Sequence, residues 1–392
     1  MDPTVVIVGA SVRALAQSAV RAGLKPICAD CFADADLLRI CQATQIKRYP
    51  QDLADFVQQA PQAPWMYTGG LENYPEIVRT LEEQRFLWGN GSEVLRAVRN
   101  PFVGLQALRN EGLCVPDTLV WNPEIPDDGA WLLKSIRSSG GMRVTVHAGQ
   151  HRFRPGDYCQ KKIDGKSCSA VYLATSEDTL VLGCTEQLID QTWTGAAPFA
   201  YAGSVGPVTL SLAVQHDVLC VGNILREQFG LRGLFGVDGI VADDRFWSVD
   251  INPRYPASTE ILERASEFCA AELHMAVCRD DVLPARPVTS SEILHGKVIV
   301  FARHAGRAHT EFCSWLSQKN NSHLRWPQYA DLPQQAVQFS VGQPILTLFA
   351  TGHCRGDVIE RLESGVQEVH RKLVGTCSLN AAHRASVDRS PP

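Results

Sequence analysis

Two acids and an amide stand where a divalent cation would find oxygen donors: Asp238 in GLFGVDGIVA, and Asp250 and Asn252 in RFWSVDIN. Side chains two apart on a strand share a face. The alternation over 246–252 therefore predicts Trp247, Val249 and Ile251 toward a core, and Ser248, Asp250 and Asn252 toward something polar. A tight turn at Asp243-Asp244 would fold the second strand back on the first and set Asp238 beside Asp250, to within about one residue of register. Oxygen donors on rigid strands suit Mg²⁺, or Mn²⁺ in its place, which completes its shell with water and substrate phosphates.

A second group lies upstream. LLKSIRSSGGMRV reads as a strand ending in Lys134, a Ser/Gly loop from Ser138 and Ser139 to Gly140 and Gly141, and a further strand. Such a loop folds backbone N–H groups over phosphates while the lysine supplies charge. Two other phosphate patterns are weaker. DGKS at 164–167 has Gln160 where a phosphate-binding loop needs its first glycine, and strand rather than helix follows. GASVRA from Gly9 has Ser11 and Ala14 at the second and third glycine positions of a dinucleotide fingerprint, although Asp30 stands where a ribose-binding acid belongs.

The elements that carry these residues are legible from periodicity. Val5–Val8, a turn at Gly9, apolar residues at helical spacing from 12 to 20 and LKPICAD make a βαβ unit. A further strand and helix follow through APWMYTGGLENYPEIV. Short strands dominate from Trp131 (WLLK, MRVTVH, YCQKKI, SAVYLAT, LVLGCT), then a long helix after Pro207, the 233–252 hairpin and a helix over 260–280. The fold class is therefore mixed α/β and α+β. It divides into a Rossmann-like unit over 1–91, a clamp over 92–288, a β-rich C-terminal unit over 289–375 with one helix near 356–373, and a polar tail over 376–392 expected to be disordered. No internal repeat is visible.

Composition narrows the function. With 392 residues, 45% apolar and a net charge of −5, the chain is globular and unsuited to polyanions, so nucleic acid is not an expected partner. No stretch is long enough to span a bilayer, and thirteen scattered cysteines suit a reducing compartment, which makes the cytoplasm the expected location. Cys28 and Cys31 form a lone CxxC without a second pair at zinc spacing.

The order of these features resembles the ATP-grasp superfamily over about residues 4–290: a Rossmann-like first domain, a nucleotide clamp of two αβ subdomains and a C-terminal addition. The resemblance implies Mg-ATP as cofactor, with Lys134 and the 138–141 loop on the phosphates and Asp238, Asp250 and Asn252 on the metal. It also implies a hinge at Gln160, Lys161, Lys162 and Ile163 against adenine, and Arg254 on the transferring phosphate or a substrate carboxylate. GASVRALAQSAVRAG, GGLEN, VRNP, TEQL, FAYAG and DINPRYPASTEILERA are similar to a subgroup of predicted carboxylate–amine ligases, among them tyramine–glutamate ligase-like and tetrahydromethanopterin-associated proteins. The implied activity joins a small-molecule carboxylate to an amine through an acylphosphate, and the resemblance admits a homo-oligomer. Three positions depart from the pattern. Asp250 stands where the family usually has Glu, Gln-Lys-Lys fills the hinge where an acid is common, and the earlier clamp lysine falls at Pro101, with Arg99 nearby.

Ser11, Arg13, Glu72 and Asn73, at strand-to-helix turns of the first unit, are candidate substrate residues, with helix capping the alternative for Ser11. Two rival functions remain: an NAD(P)-dependent oxidoreductase using the Gly9 turn and Asp30, and an ATP-grasp protein that binds ATP without turning it over.

Overall fold

The computed structural model describes residues 3–122, 124–148, 153–266, 268–283, 292–320 and 326–374. The expected tail over 376–392 lies outside them. The opening run TVVIV forms β1 (Thr4–Val8), nearly all buried, beside β2 (Lys25–Asp30), β3 (Gln42–Gln45) and β4 (Trp65–Tyr67) in a parallel sheet of order β3-β2-β1-β4. The helix Arg13–Arg21 joins β1 to β2 and puts Leu15, Ala16 and Ala19 into one cluster with Val5 and Ile7. Strand order reverses at β1, so the crevice of this sheet opens between the turns that follow β1 and β4.

A small antiparallel sheet follows, from β5 (Thr118–Val120), β6 (Trp131–Ser135), β7 (Thr145–Val146) and β8 (Asp157–Lys161), ordered β5-β8-β6-β7. Leu133 and Cys159, opposite each other, pack with Ile125, Trp131 and Phe153. Alternation then turns Lys134, Tyr158 and Gln160 to the other face. Of the strand expected over 142–147, only Thr145–Val146 pairs.

The third layer is an eight-stranded sheet. The middle of the chain supplies β9 (Lys166–Ala174), β10 (Thr179–Leu188), β11 (Gly203–Gly206), β12 (Gly233–Ala242) and β13 (Arg245–Asn252). The C-terminal part supplies β14 (Leu294–Phe301), β15 (Gly306–Arg307), β16 (Tyr329–Ala330), β17 (Gln338–Phe339) and β18 (Pro344–Gly352). The order is β13-β12-β9-β10-β11-β14-β18-β16, with β15 and β17 as a separate pair. Residues 294–352 therefore continue the clamp's sheet, because β11 pairs with β14 and Gly203 lies opposite Val298. The helix Leu212–Phe229 covers this sheet with Val214, Val218, Val221 and Leu225 buried. Ser211 Oγ accepts the Val214 N–H at its start and Gly230, at φ 68, ends it.

Two helical expectations need correction. The segment 260–280 is two helices, Thr259–Ala265 and Ala270–Asp280. The second starts on tertiary acceptors: Glu263 Oε1 takes the Ala270 N–H at 2.8 Å and Ser18 Oγ takes the Ala271 N–H at 2.9 Å. The C-terminal part also has a second helix, Thr310–Lys319, beside the expected one at Arg355–Val374.

Candidate active site

The β12–β13 hairpin turns through Asp243 and Asp244, both in the left-handed region at φ 50 and 57, as the sequence suggested. Its register is not regular. Gly239 pairs with Ser248, but the next pair is Asp238 with Asp250, so Val249 is extruded as a bulge. The bulge corrects the expected faces: Phe246 and Ile251, not Trp247, share the core cluster, and Val249 lines the cleft with Asp250 and Asn252. Without the extra residue, Asp250 would fall on the face of Phe246.

That extruded residue positions the lysine. Lys134 Nζ donates to the Val249 carbonyl at 3.1 Å and to Gln160 Oε1 at 3.0 Å, linking the small sheet to the hairpin. Asp238, half-buried, accepts from Gln187 Nε2 at 3.0 Å and from Asn252 Nδ2 at 2.9 Å. Burial, and then the facing Asp250, push its pKa up from the usual carboxylate value. Arg254 gives Nη2 to Asn252 Oδ1 at 3.0 Å and Nε to Glu72 Oε1 at 3.2 Å.

The glycine loop lies over this group. Ser139 Oγ accepts from Asn73 Nδ2 at 2.8 Å and donates to Glu72 Oε1 at 3.2 Å, and Gly140 O accepts the Tyr201 N–H at 2.9 Å. Gly141, at φ 72, is in a conformation L side chains rarely adopt, and a Cβ there would meet Phe199 O at 1.8 Å. Ser138 is held through its carbonyl, which accepts from Arg99 Nη2 at 2.8 Å. Arg99 also reaches Asp250 Oδ1 at 2.8 Å. Burial alone would lower its pKa, but Asp250 and Glu72 more than offset this, so the guanidinium stays charged.

Together these residues line one cleft of about 520 Å³, within the ~300–1,000 Å³ usual for small-molecule sites. Lys134, Ser138 to Gly141, Gln160 to Ile163, Asp238, Asp250, Asn252 and Arg254 all border it. At the hinge, the Lys161 and Lys162 N–H groups are bonded to Asp117 O and Ala130 O, and the Gln160 side chain faces Lys134. Glu72 and Asn73 join the site through Ser139, Arg99 and Arg254. Sequence reading gave no role to Gln187, although it lies in the TEQL run; only the pairing of β9 with both β10 and β12 brings it to Asp238.

Ser11 and Arg13 are not brought to this group. Ser11 is exposed and makes no cap bond, since the helix begins after Val12. Arg13 is 2% exposed and braced between Glu260 and Asp331, with Nε 2.8 Å from Asp331 Oδ1. Burial would raise the Glu260 pKa, but Arg13, Lys297 and Arg264 hold it well below the usual range. Asp30 is fully buried, and its oxygens accept the N–H groups of Val12, Phe32 and Ala33, which leaves no free carboxylate for a ribose. Cys28 Sγ lies 3.5 Å from Cys41 Sγ, a neighbour outside the CxxC.

The oxygen donors fit a hard cation that keeps water and phosphate ligands. Among the described residues no group of three or more His, Cys, Asp or Glu forms a complete protein cage. Asp250 pairs with Arg99 through Oδ1, and its side chain is 36% exposed.

Comparison with known proteins agrees with this layout. The sequence pattern of the ATP-grasp domain matches residues 100–258, the span from the Arg99 helix end to the Arg254 loop. Residues 100–258 therefore form an ATP-grasp domain. An uncharacterised protein of Methanocaldococcus jannaschii, MJ0776, is 24% identical over 297 residues, covering 72% of this chain and 69% of that one. The ATP-grasp fold extends beyond the matched domain. A solved ADP complex of N5-carboxyaminoimidazole ribonucleotide synthetase superposes with a TM-score of 0.68 at 16% identity, over 95% of this chain and 98% of that chain. The biotin carboxylase domain of Hydrogenobacter thermophilus 2-oxoglutarate carboxylase, solved with MgADP, ADP and bicarbonate, gives 0.68 at 10% identity, over 95% and 89%.

Proposed function

We propose that this ATP-grasp protein is an ATP-dependent, ADP-forming ligase that joins a carboxylate to an amine. The observation that carries the reading is the convergence of Lys134, the glycine loop, the Asp238–Asp250–Asn252 group and Arg254 on one cleft. The similarity to ADP-bound and MgADP-bound structures supports a nucleotide in that cleft.

In this reading a substrate carboxylate oxygen attacks the γ-phosphorus, the bond to the β-phosphate oxygen breaks, and ADP leaves. The amine then attacks the acyl carbon of the acylphosphate, inorganic phosphate departs and the amide nitrogen loses its proton. Asp238 and Asp250, with Asn252 beside them, would hold a divalent cation, which would supply positive charge against the phosphates as negative charge develops. Lys134 is already aimed at the cleft by Val249 and Gln160, so little reorganisation is needed to stabilise a phosphate. Arg254 stands between Glu72 and Asn252, where it orients the reacting carboxylate. The glycine loop, latched through Ser139, keeps bulk water away from the acylphosphate. The protein positions and neutralises, and no protein nucleophile is needed.

The test is ADP release from purified protein supplied with pools of carboxylates and amines, with mass detection of the amide. Asp250→Asn should lower turnover by at least ~10²-fold while the fold is kept. Undiminished turnover in that variant would exclude the proposed metal face, and ATP binding without ADP from any mixture would leave a binding protein instead.

A further inference from the structure

The glycine loop is held from two sides. On one, Ser139 ties it to Asn73 and Glu72, and Arg99 holds the Ser138 carbonyl. On the other it rests against residues 189–202, which connect β10 to β11. Leu188 pairs with Gly203 and the Ala202 N–H donates to Leu188 O at 2.9 Å, so the ends of this connection are pinned together and its middle stands out as a compact loop. Its interior is built from its own groups: the Thr194 N–H and hydroxyl both donate to Gln191 O, at 3.0 and 2.7 Å, and Thr194 is fully buried.

Two residues of that loop, Asp190 at φ 57 and Phe199 at φ 60, adopt the left-handed conformation without being glycine. A bulky aromatic residue does so only where its surroundings fix it. Here the Phe199 N–H donates to Asp190 Oδ1 at 2.7 Å, closing the loop across nine positions of chain. The backbone shaped by this turn is the one that meets the glycine loop. The Tyr201 N–H donates to Gly140 O at 2.9 Å, and Phe199 O stands where a Cβ on Gly141 would be. Asp190, Phe199 and Tyr201 border the same cleft as Gly140 and Gly141.

We propose that Asp190 is a positioning residue of the nucleotide site: by accepting the Phe199 N–H it holds the Phe199–Tyr201 backbone in the shape that docks Gly140 and Gly141, and so sets the glycine loop over the phosphates. The inference rests on the ligase reading for the phosphates themselves. Asp190 acts through two backbone segments and need not touch the nucleotide. The role requires an acceptor oxygen, not a charge, so asparagine serves as aspartate does and alanine does not. Without that acceptor Phe199 relaxes to negative φ, its carbonyl leaves Gly141, and the glycine loop keeps its Ser138 and Ser139 attachments alone.

Limited trypsin digestion of the full chain tests this without turnover, because Arg137 and Arg143 flank the glycine loop and both are exposed. Asp190→Ala should be cut after these two residues at least ~5-fold faster than wild type, with other cuts and the urea midpoint unchanged, since cutting follows the open population. It should also bind Mg-β,γ-imido-ATP at least ~5-fold more weakly, while Asp190→Asn matches wild type in both measurements. A folded Asp190→Ala protein that is cut and binds like wild type would overturn the inference. So would an Asp190→Asn protein that behaves like Asp190→Ala, because charge and not the acceptor would then be at work, and so would an Asp190→Ala protein that does not fold, which would make Asp190 a stability residue. A wild type that binds no Mg-β,γ-imido-ATP would instead overturn the ligase reading, and the cutting rates would still decide whether Asp190 holds the loop.

Discussion

Asp238 lies directly opposite Asp250 because Val249 between the two pairs is extruded, and the carbonyl of that extruded residue receives Lys134. The proposed metal donors and the proposed phosphate-binding lysine are thereby set by one irregularity in one strand. Lys134→Met should keep the fold and lower kcat/KM for ATP by about 10²-fold, near 3 kcal/mol of transition-state stabilisation. Steady-state ADP release measures it, and wild-type kinetics in the variant would remove Lys134 from the phosphate site.

Arg13 belongs to the brace between the first unit and the C-terminal strands, so its loss should show in stability. Arg13→Met leaves Asp331 without its two guanidinium bonds and strips one cation from the buried Glu260. Breaking a buried pair in this way costs about 3–5 kcal/mol. Urea denaturation should show the loss, with KM for ATP unchanged in the folded fraction. A KM defect for the carboxylate or amine without a stability loss would restore Arg13 as a substrate residue.

His274 predicts an acid limb. Its Nδ1 accepts the Leu234 N–H at 2.8 Å and Nε2 faces Trp88 O at 3.0 Å, which suits the neutral ring with a proton on Nε2. Burial lowers its pKa from the usual value to about 4. Because the folded pKa is depressed, the stabilisation is complete above the unfolded value of 6.5 and is lost as pH falls toward 4. The contribution is about 3 kcal/mol. Chemical denaturation at successive pH values should show the wild type losing its advantage over His274→Gln across that window, and a constant difference would contradict the assignment.

The residues that border the cleft were legible because their order along the chain follows one pattern. Lysine, glycine loop, acid, acid, amide and arginine need only be read in sequence, and the tight turn at Asp243-Asp244 already folds the last acids together. The split of 260–280 into two helices was not legible, since the second begins on Glu263 and on Ser18, a residue more than two hundred positions away in sequence. The same holds for Ser11 and Arg13, which sit at a turn of the right kind, but Ser11 is exposed outside the cleft lining and Arg13 is held in a distant ion pair.

By itself the sequence determined the βαβ opening, the hairpin, the lysine–glycine loop and the oxygen donors, because periodicity, turn residues and side-chain chemistry act locally. Only the tertiary structure decided which face Asp250 takes, what Arg99 holds and that residues 294–352 extend the clamp's sheet. A bulge inverts a period of two without changing a letter, and ion pairs and strand neighbours join residues that no local pattern relates.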